Sequence, residues 1–293
     1  MKIGLGTAQL GMNYRRLRDD EIHESEINDI FQASIDNDIR VFDTSAYYGL
    51  AEELVGEFIA KTKSKVDVVT KVNGGEKNLR KIVEKSLMKL RLENVDTHAI
   101  HNFHSYQDNP ECWDRLLELK TEGMCEKIGF SLYYPKEAEV LWSQGVEFDY
   151  VQIPFNVFDQ RFEYLFSEFR KRNVKVHVRS TFVFGLVFSK NNQVDSKFRS
   201  VEKRLGELER LAHEIGVSKA SICVNWGINQ QAIKKVILGV ESVQDVKKNV
   251  KMLDDSEKVK GVMGEIRKLK MDDVNCFLPS EDQYKNYTLI SKP

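Results

Sequence analysis

Short apolar runs rich in β-branched residues alternate along the chain with longer stretches in which apolar residues recur every three to five positions. The runs Lys2 to Gly6, Arg40 to Asp43, Val66 to Lys71, Thr97 to His101, Lys127 to Ser131, Tyr150 to Pro154, Val174 to Ser180 and Lys235 to Gly239 read as strands. Between them, Ile22, Ile27, Ile30, Phe31 and Ile35, and again Ile82, Val83, Leu87 and Leu90, place an apolar stripe along one side of a helix. Such alternation calls for parallel strands joined by helical crossovers.

Eight units of this kind in 293 residues fit an α/β fold of the closed (β/α)8 TIM-barrel type better than an open doubly wound sheet. The open sheet usually carries a glycine-rich phosphate turn, and no strand here runs into GxGxxG or a P-loop. No Pro- or Ser-rich linker or low-complexity tract divides the chain, so one domain over residues 1–293 is expected. Two stretches exceed a simple strand-helix unit: Phe184 to Arg199, read as a polar substrate loop, and a tail from about Lys268 that contains FLPSEDQYKNYTLISKP. Long loops on a barrel often form the pocket wall.

Composition acts mainly by exclusion. Charge is balanced, with 44 Lys+Arg against 45 Asp+Glu and no basic block, so no nucleic acid partner is expected. The opening MKIGLGTAQLGMNY reads as a strand and turn, not a signal peptide, and no membrane partner is expected because no run reaches about 18 apolar residues. Cys112, Cys125, Cys223 and Cys276 are scattered and form no CxxC pair, which predicts reduced, buried thiols in a cytoplasmic protein. Oligomeric state is not legible.

In a barrel the chemistry sits at the C-terminal ends of the strands. Asp43 ends the second predicted strand and Tyr48 follows in its loop; Lys71 ends the third and His101 the fourth. Each has an ordinary structural reading: Asp43 as a helix cap, Tyr48 as packing under a loop, Lys71 as a solvated strand end, His101 as a core histidine. Their convergence on three consecutive strands favours chemistry instead. A lysine beside a carboxylate can lower the pKa of a nearby phenol, which makes Tyr48 a usable proton donor for carbonyl reduction. His98 and His104 do not extend His101 into a metal site: the step from 101 to 104 is odd, and no acid or cysteine nearby completes a ligand set.

The stretch FDTSAYYGLAEELVG, with Asp43, Tyr48, Gly49 and Glu52 or Glu53, resembles the DTAxxYGxxE signature of the aldo-keto reductases. VVTKV and VDTHAIHNFH are similar to that family's lysine and histidine segments, and the likeness runs from Leu5 to about Asn249. The resemblance implies an NAD(P)H-dependent enzyme that reduces a small-molecule aldehyde, ketone or keto-sugar, with catalytic residues Asp43, Tyr48, Lys71 and His101. It implies that Tyr48 protonates the carbonyl oxygen, Lys71 held by Asp43 tunes the phenol, and His101 orients the carbonyl. Tyr47 is the competing donor, and family spacing selects Tyr48.

Cofactor contacts follow the same likeness: Gly6 and Thr7 in GLGTAQLG, Ser131 in KIGFS, Gln152 in YVQIPFN, Arg179, Ser180, Phe182 and Gly185 in RSTFVFGLV, and Gly239, Ser242 and Asn249 in VILGVESVQDVKKN. The implied cofactor is NADP (NADPH), with NAD as the alternative. Leu132 replaces a frequent Asn, and Arg179 replaces a frequent Tyr. Glu241 and Asp245, with Lys247 and Lys248 beyond them, predict a relaxed preference in which NADPH leads by less than about tenfold, roughly 1.4 kcal/mol. GLGTAQLG and RSTFVFG also resemble aldo-keto reductase relatives associated with sugar or surface-polysaccharide biosynthesis, which ranks keto-sugars among the substrates. Two other readings stay open: a nicotinamide-binding regulatory subunit, and a (β/α)8 lyase or isomerase with Lys71 as a Schiff base. All four catalytic residues are retained, which favours the reductase.

Overall fold

A computed structural model describes residues 1–12, 22–188, 199–273 and 277. Eight parallel strands close in sequence order into a barrel: β1 (Ile3–Gly6), β2 (Val41–Asp43), β3 (Asp67–Val72), β4 (Val95–Ile100), β5 (Cys125–Ser131), β6 (Tyr150–Pro154), β7 (Lys175–Arg179) and β8 (Ile233–Gly239). Helices surround the strands, as the alternating pattern predicts. β3 ends one residue beyond Lys71, and His101 lies just past the end of β4.

Two apolar layers hold this arrangement. Inside the barrel, Val41, Val69, Ala99, Tyr150 and Ile237 pack on one another. Glycine makes the room: a Cβ on Gly4 would lie 2.6 Å from the Ile237 side chain, and one on Gly129 would lie 1.9 Å from the Tyr150 carbonyl. The second layer lies between strands and helices. The helix Glu24–Asp36 turns Ile27, Ile30, Phe31 and Ile35 into it, and Phe31 stacks on Phe42 of β2 with ring centroids 5.3 Å apart. The helix Leu79–Leu90 buries Val83, Leu87 and Leu90 and is capped by Asn78, whose side chain accepts from the Lys81 N–H. These contacts fix the strands, and hence the positions of the polar residues at their ends.

The expected polar loop of residues 184–199 differs at both margins. Val183–Phe188 forms two short 3-10 turns joined by a kink at Phe184 and Gly185, with Phe182 and Phe188 rings 5.0 Å apart, and Arg199 opens the helix Arg199–Glu214. Residues 189–198 and most of the predicted tail lie outside the described residues.

Candidate active site

Asp43 is the last residue of β2 and is almost wholly buried. Its two carboxylate oxygens have different partners: Lys71 donates to one at 2.7 Å, and the Gln152 side-chain amide donates to the other at 2.7 Å. Lys71 also donates to the Thr44 carbonyl oxygen at 2.9 Å. A buried charge of either sign would be costly alone, and the pairing across adjacent strands offsets much of that cost. Burial pushes the Lys71 ammonium below the usual lysine range, opposed by the Asp43 carboxylate.

The turn after β2 sets the tyrosines. Gly49 has φ +58°, and a Cβ there would lie 2.2 Å from the Gly11 carbonyl oxygen, which in turn accepts the Leu50 N–H at 3.0 Å. Only glycine fits both the left-handed backbone and this close approach. The turn puts the Tyr48 ring 5.2 Å from the Lys71 ammonium and edge-on to His101, with ring centroids 5.7 Å apart. Tyr47 also lines the cavity, its ring centroid 5.8 Å from that of His101, but its hydroxyl is engaged: it donates to Glu76 at 2.7 Å and accepts the Asn73 N–H at 3.2 Å. Burial, reinforced by Glu76, holds the Tyr47 phenol above the ordinary tyrosine range.

His101 is neutral at physiological pH, its pKa pushed down to about 3 by burial and by the nearby charges of Lys71 and Arg179. The Nδ1 atom lies 3.2 Å from the Ser45 hydroxyl oxygen. His98 is fully buried, where His101 is half-buried, and its pKa is pushed down to about 4 by burial, whereas His104 pairs with Asp108 at 3.4 Å.

These residues meet at the mouth of the barrel in a cavity of about 1190 Å³. Asp43, Tyr48 and His101 line it, and Lys71 lies behind Asp43. The sequence-predicted cofactor residues all fall on its wall: Gly6 and Thr7 at the end of β1, Ser131 and Gln152 at neighbouring positions of β5 and β6, Arg179 at the end of β7 with Ser180, Phe182 and Gly185 beyond it, and Gly239 at the end of β8 with Ser242 and Asn249 beyond it. The Arg179 guanidinium lies 4.1 Å from the centre of the Tyr133 ring and donates to the Leu132 carbonyl at 3.2 Å. Ser242 caps the helix Val243–Lys251 by accepting the Asp245 N–H.

Glu241 and Asp245 both line the cavity, and the Asp245 carboxylate also accepts the Glu241 N–H at 3.1 Å and the Ser242 hydroxyl at 2.9 Å at the start of the helix. Lys248, one turn on, joins the cavity wall. Sequence reasoning missed Gln9, Asn102, Tyr133, Met252 and Phe277 on that wall. Asn102 and Tyr133 had a usable signal, since each stands two residues past a strand end. Phe277 comes from the predicted tail and stacks on Phe158.

The family model for the aldo/keto reductase family matches residues 2–270. The chloroplastic pyridoxal reductase of Arabidopsis thaliana is 24% identical, over 85% of this chain and 77% of that protein. Among solved structures, an aldo-keto reductase from Bacillus halodurans in its holo form aligns with a TM-score of 0.75 at 20% identity, covering 93% of each chain. An aldo/keto reductase from Klebsiella pneumoniae in complex with NADP and acetate aligns with a TM-score of 0.69 at 20% identity, covering 94% of this chain and 93% of that one. With the family match spanning nearly the whole sequence and eight parallel strands closing into its barrel, this chain belongs to the aldo/keto reductase family of oxidoreductases.

Proposed function

We propose that the protein uses NADPH to reduce an aldehyde, ketone or keto-sugar to an alcohol, with Tyr48 as the proton donor. The observation that carries this reading is the placement of Tyr48 on the cavity wall against the Asp43–Lys71 pair, while Tyr47 is committed to Glu76. The ammonium favours the phenolate that forms when Tyr48 gives up its proton. The neutral His101 ring presents its Nε2 edge to orient the carbonyl.

The residues fit a nicotinamide dinucleotide. Ser131 and Gln152, side by side on β5 and β6, offer a hydroxyl and an amide oxygen to a carboxamide. The Thr181 hydroxyl is buried and has no hydrogen-bond partner among the described residues, although the residue lines the cavity. The start of the helix Val243–Lys251 offers N–H groups of its first turn to phosphates. When bound, the nicotinamide would supply the hydride. With Glu241, Asp245 and Lys248 all on the wall, NADPH should lead NADH by less than about tenfold, and Lys248→Ala should narrow that lead.

A Schiff base on Lys71 is disfavoured, because the ammonium is buried and held by Asp43 and the Thr44 carbonyl. The buried free thiols of Cys112, Cys125 and Cys223 support the cytoplasmic reading, and no helix among the described residues is long and apolar enough to cross a membrane. The test is a panel of aldehydes, ketones and keto-sugars assayed by NADPH oxidation, with NADPH and NADH dissociation constants measured beside it. Tight NADPH binding with oxidation of the cofactor by at least one carbonyl class is expected. Binding of neither cofactor would contradict the proposal.

A further inference from the structure

The hydroxyl of Ser45 stands at a junction that the catalytic reading does not use. Ser45 is 1% exposed, and its oxygen lies 3.2 Å from His101 Nδ1, 3.3 Å from the Lys71 carbonyl oxygen and 3.3 Å from the Tyr47 amide nitrogen, which donates to it. One hydroxyl has one proton to give. It can go to the Lys71 carbonyl, so that Nδ1–H must donate to Ser45 and Nε2 is left bare. Alternatively it goes to Nδ1, and the ring proton then sits on Nε2.

Two facts decide between these arrangements. The Lys71 carbonyl already accepts the Ala46 N–H at 3.2 Å, so it loses little when the Ser45 proton goes to Nδ1, and Nδ1 keeps Ser45 as its partner in either arrangement. A carbonyl oxygen, in turn, can only accept, so the ring must meet it with an N–H. Because burial keeps the imidazole neutral, it carries a single N–H, and the side that bears it matters.

We propose that Ser45 is a positioning residue: its hydroxyl donates to Nδ1 of His101, holding the imidazole as the Nε2–H tautomer with that N–H directed at the substrate carbonyl. The same hydroxyl accepts the Tyr47 N–H, so it also ties the ring to the turn that carries Tyr48. The proposal rests on His101 as the group that orients the carbonyl, and its main readout does not need turnover.

The experiment is 15N NMR of the histidine side chains in the NADP+-saturated protein, with His101 assigned by the loss of its signals in His101→Gln. In the wild type, Nδ1 should show the shift of an unprotonated nitrogen that accepts a hydrogen bond, and Nε2 that of a protonated one. In Ser45→Ala, Nδ1 should move to the position of a nitrogen without that bond. KM for the best carbonyl should rise about five- to tenfold, the scale of one lost buried hydrogen bond, while the NADPH dissociation constant stays within twofold. A protonated Nδ1 in the wild type, an unmoved Nδ1 signal in Ser45→Ala, or an unchanged KM would each overturn the proposal. If no carbonyl is reduced, the failure lies with the reading of the site, and the nitrogen signals still decide whether Ser45 anchors the ring.

Discussion

At the scale of single residues, two adjacent tyrosines differ through their partners. Tyr47 is 39% exposed and spends its hydroxyl on Glu76 and on the Asn73 N–H, while Tyr48 faces the Lys71 ammonium. Tyr47→Phe should therefore keep kcat within about threefold and lose only the stability of one largely surface hydrogen bond, about 1 kcal/mol. Steady-state kinetics and a urea melt check this, and a dead Tyr47→Phe would exchange the roles of the two tyrosines. The residue pattern around Asp43 was legible because it is local. The direction of the Tyr47 side chain was not, since it depends on Glu76, which arrives with the loop after β3. Asp245 teaches the same lesson. Its charge bears on the cofactor preference, whereas the partners of its carboxylate, the Glu241 N–H and the Ser242 hydroxyl, follow from its position three residues after the Ser242 cap.

Elements place these residues, and two of them can be tested. The turn between β2 and the helix Ala51–Thr62 depends on Gly49. An alanine there meets both a left-handed backbone, costing about 1–3 kcal/mol, and the Gly11 carbonyl. Gly49→Ala should lower the melting temperature and depress kcat more than tenfold by displacing Tyr48. Unaltered kcat in a folded variant would mean that the turn does not set the tyrosine.

The helix Pro135–Ser143 carries a different test. The Glu137 carboxylate accepts the Tyr133 and Tyr134 N–H groups at 2.7 and 3.0 Å, and burial raises its pKa from 4.5 to about 7. The native state thus holds a proton that the unfolded chain has already lost. Stability from this group is complete below about pH 4.5 and drains away as pH rises through about 7, by on the order of 3 kcal/mol. Glu137→Gln keeps an acceptor and removes the titration. Its stability relative to wild type should rise between pH 4.5 and 7, as denaturant melts at several pH values would show, and parallel curves for the two proteins would contradict the assignment.

For the whole molecule, the barrel was legible because its parallel strands are buried on both faces and read as β-branched runs, and because the fold puts chemistry at strand ends. Asp43, Lys71, Ser131 and Gln152 were found through that rule alone or with the family's spacing. Other parts of the cavity wall were not legible. Phe277 reaches it only after the tail packs on Phe158, and Val183 and Phe184 adopt left-handed backbone at φ 52° and 58°, which bulky residues rarely do and which no residue type announces. The central claim joins this architecture to one proton. Single-turnover oxidation of bound NADPH, followed in wild type and Tyr48→Phe with the carbonyl that the panel selects, tests it most directly. Loss of the proton donor should slow the chemical step by about a hundred- to ten-thousandfold while the NADPH dissociation constant stays within about threefold. A Tyr48→Phe protein that transfers hydride within tenfold of the wild-type rate would contradict it.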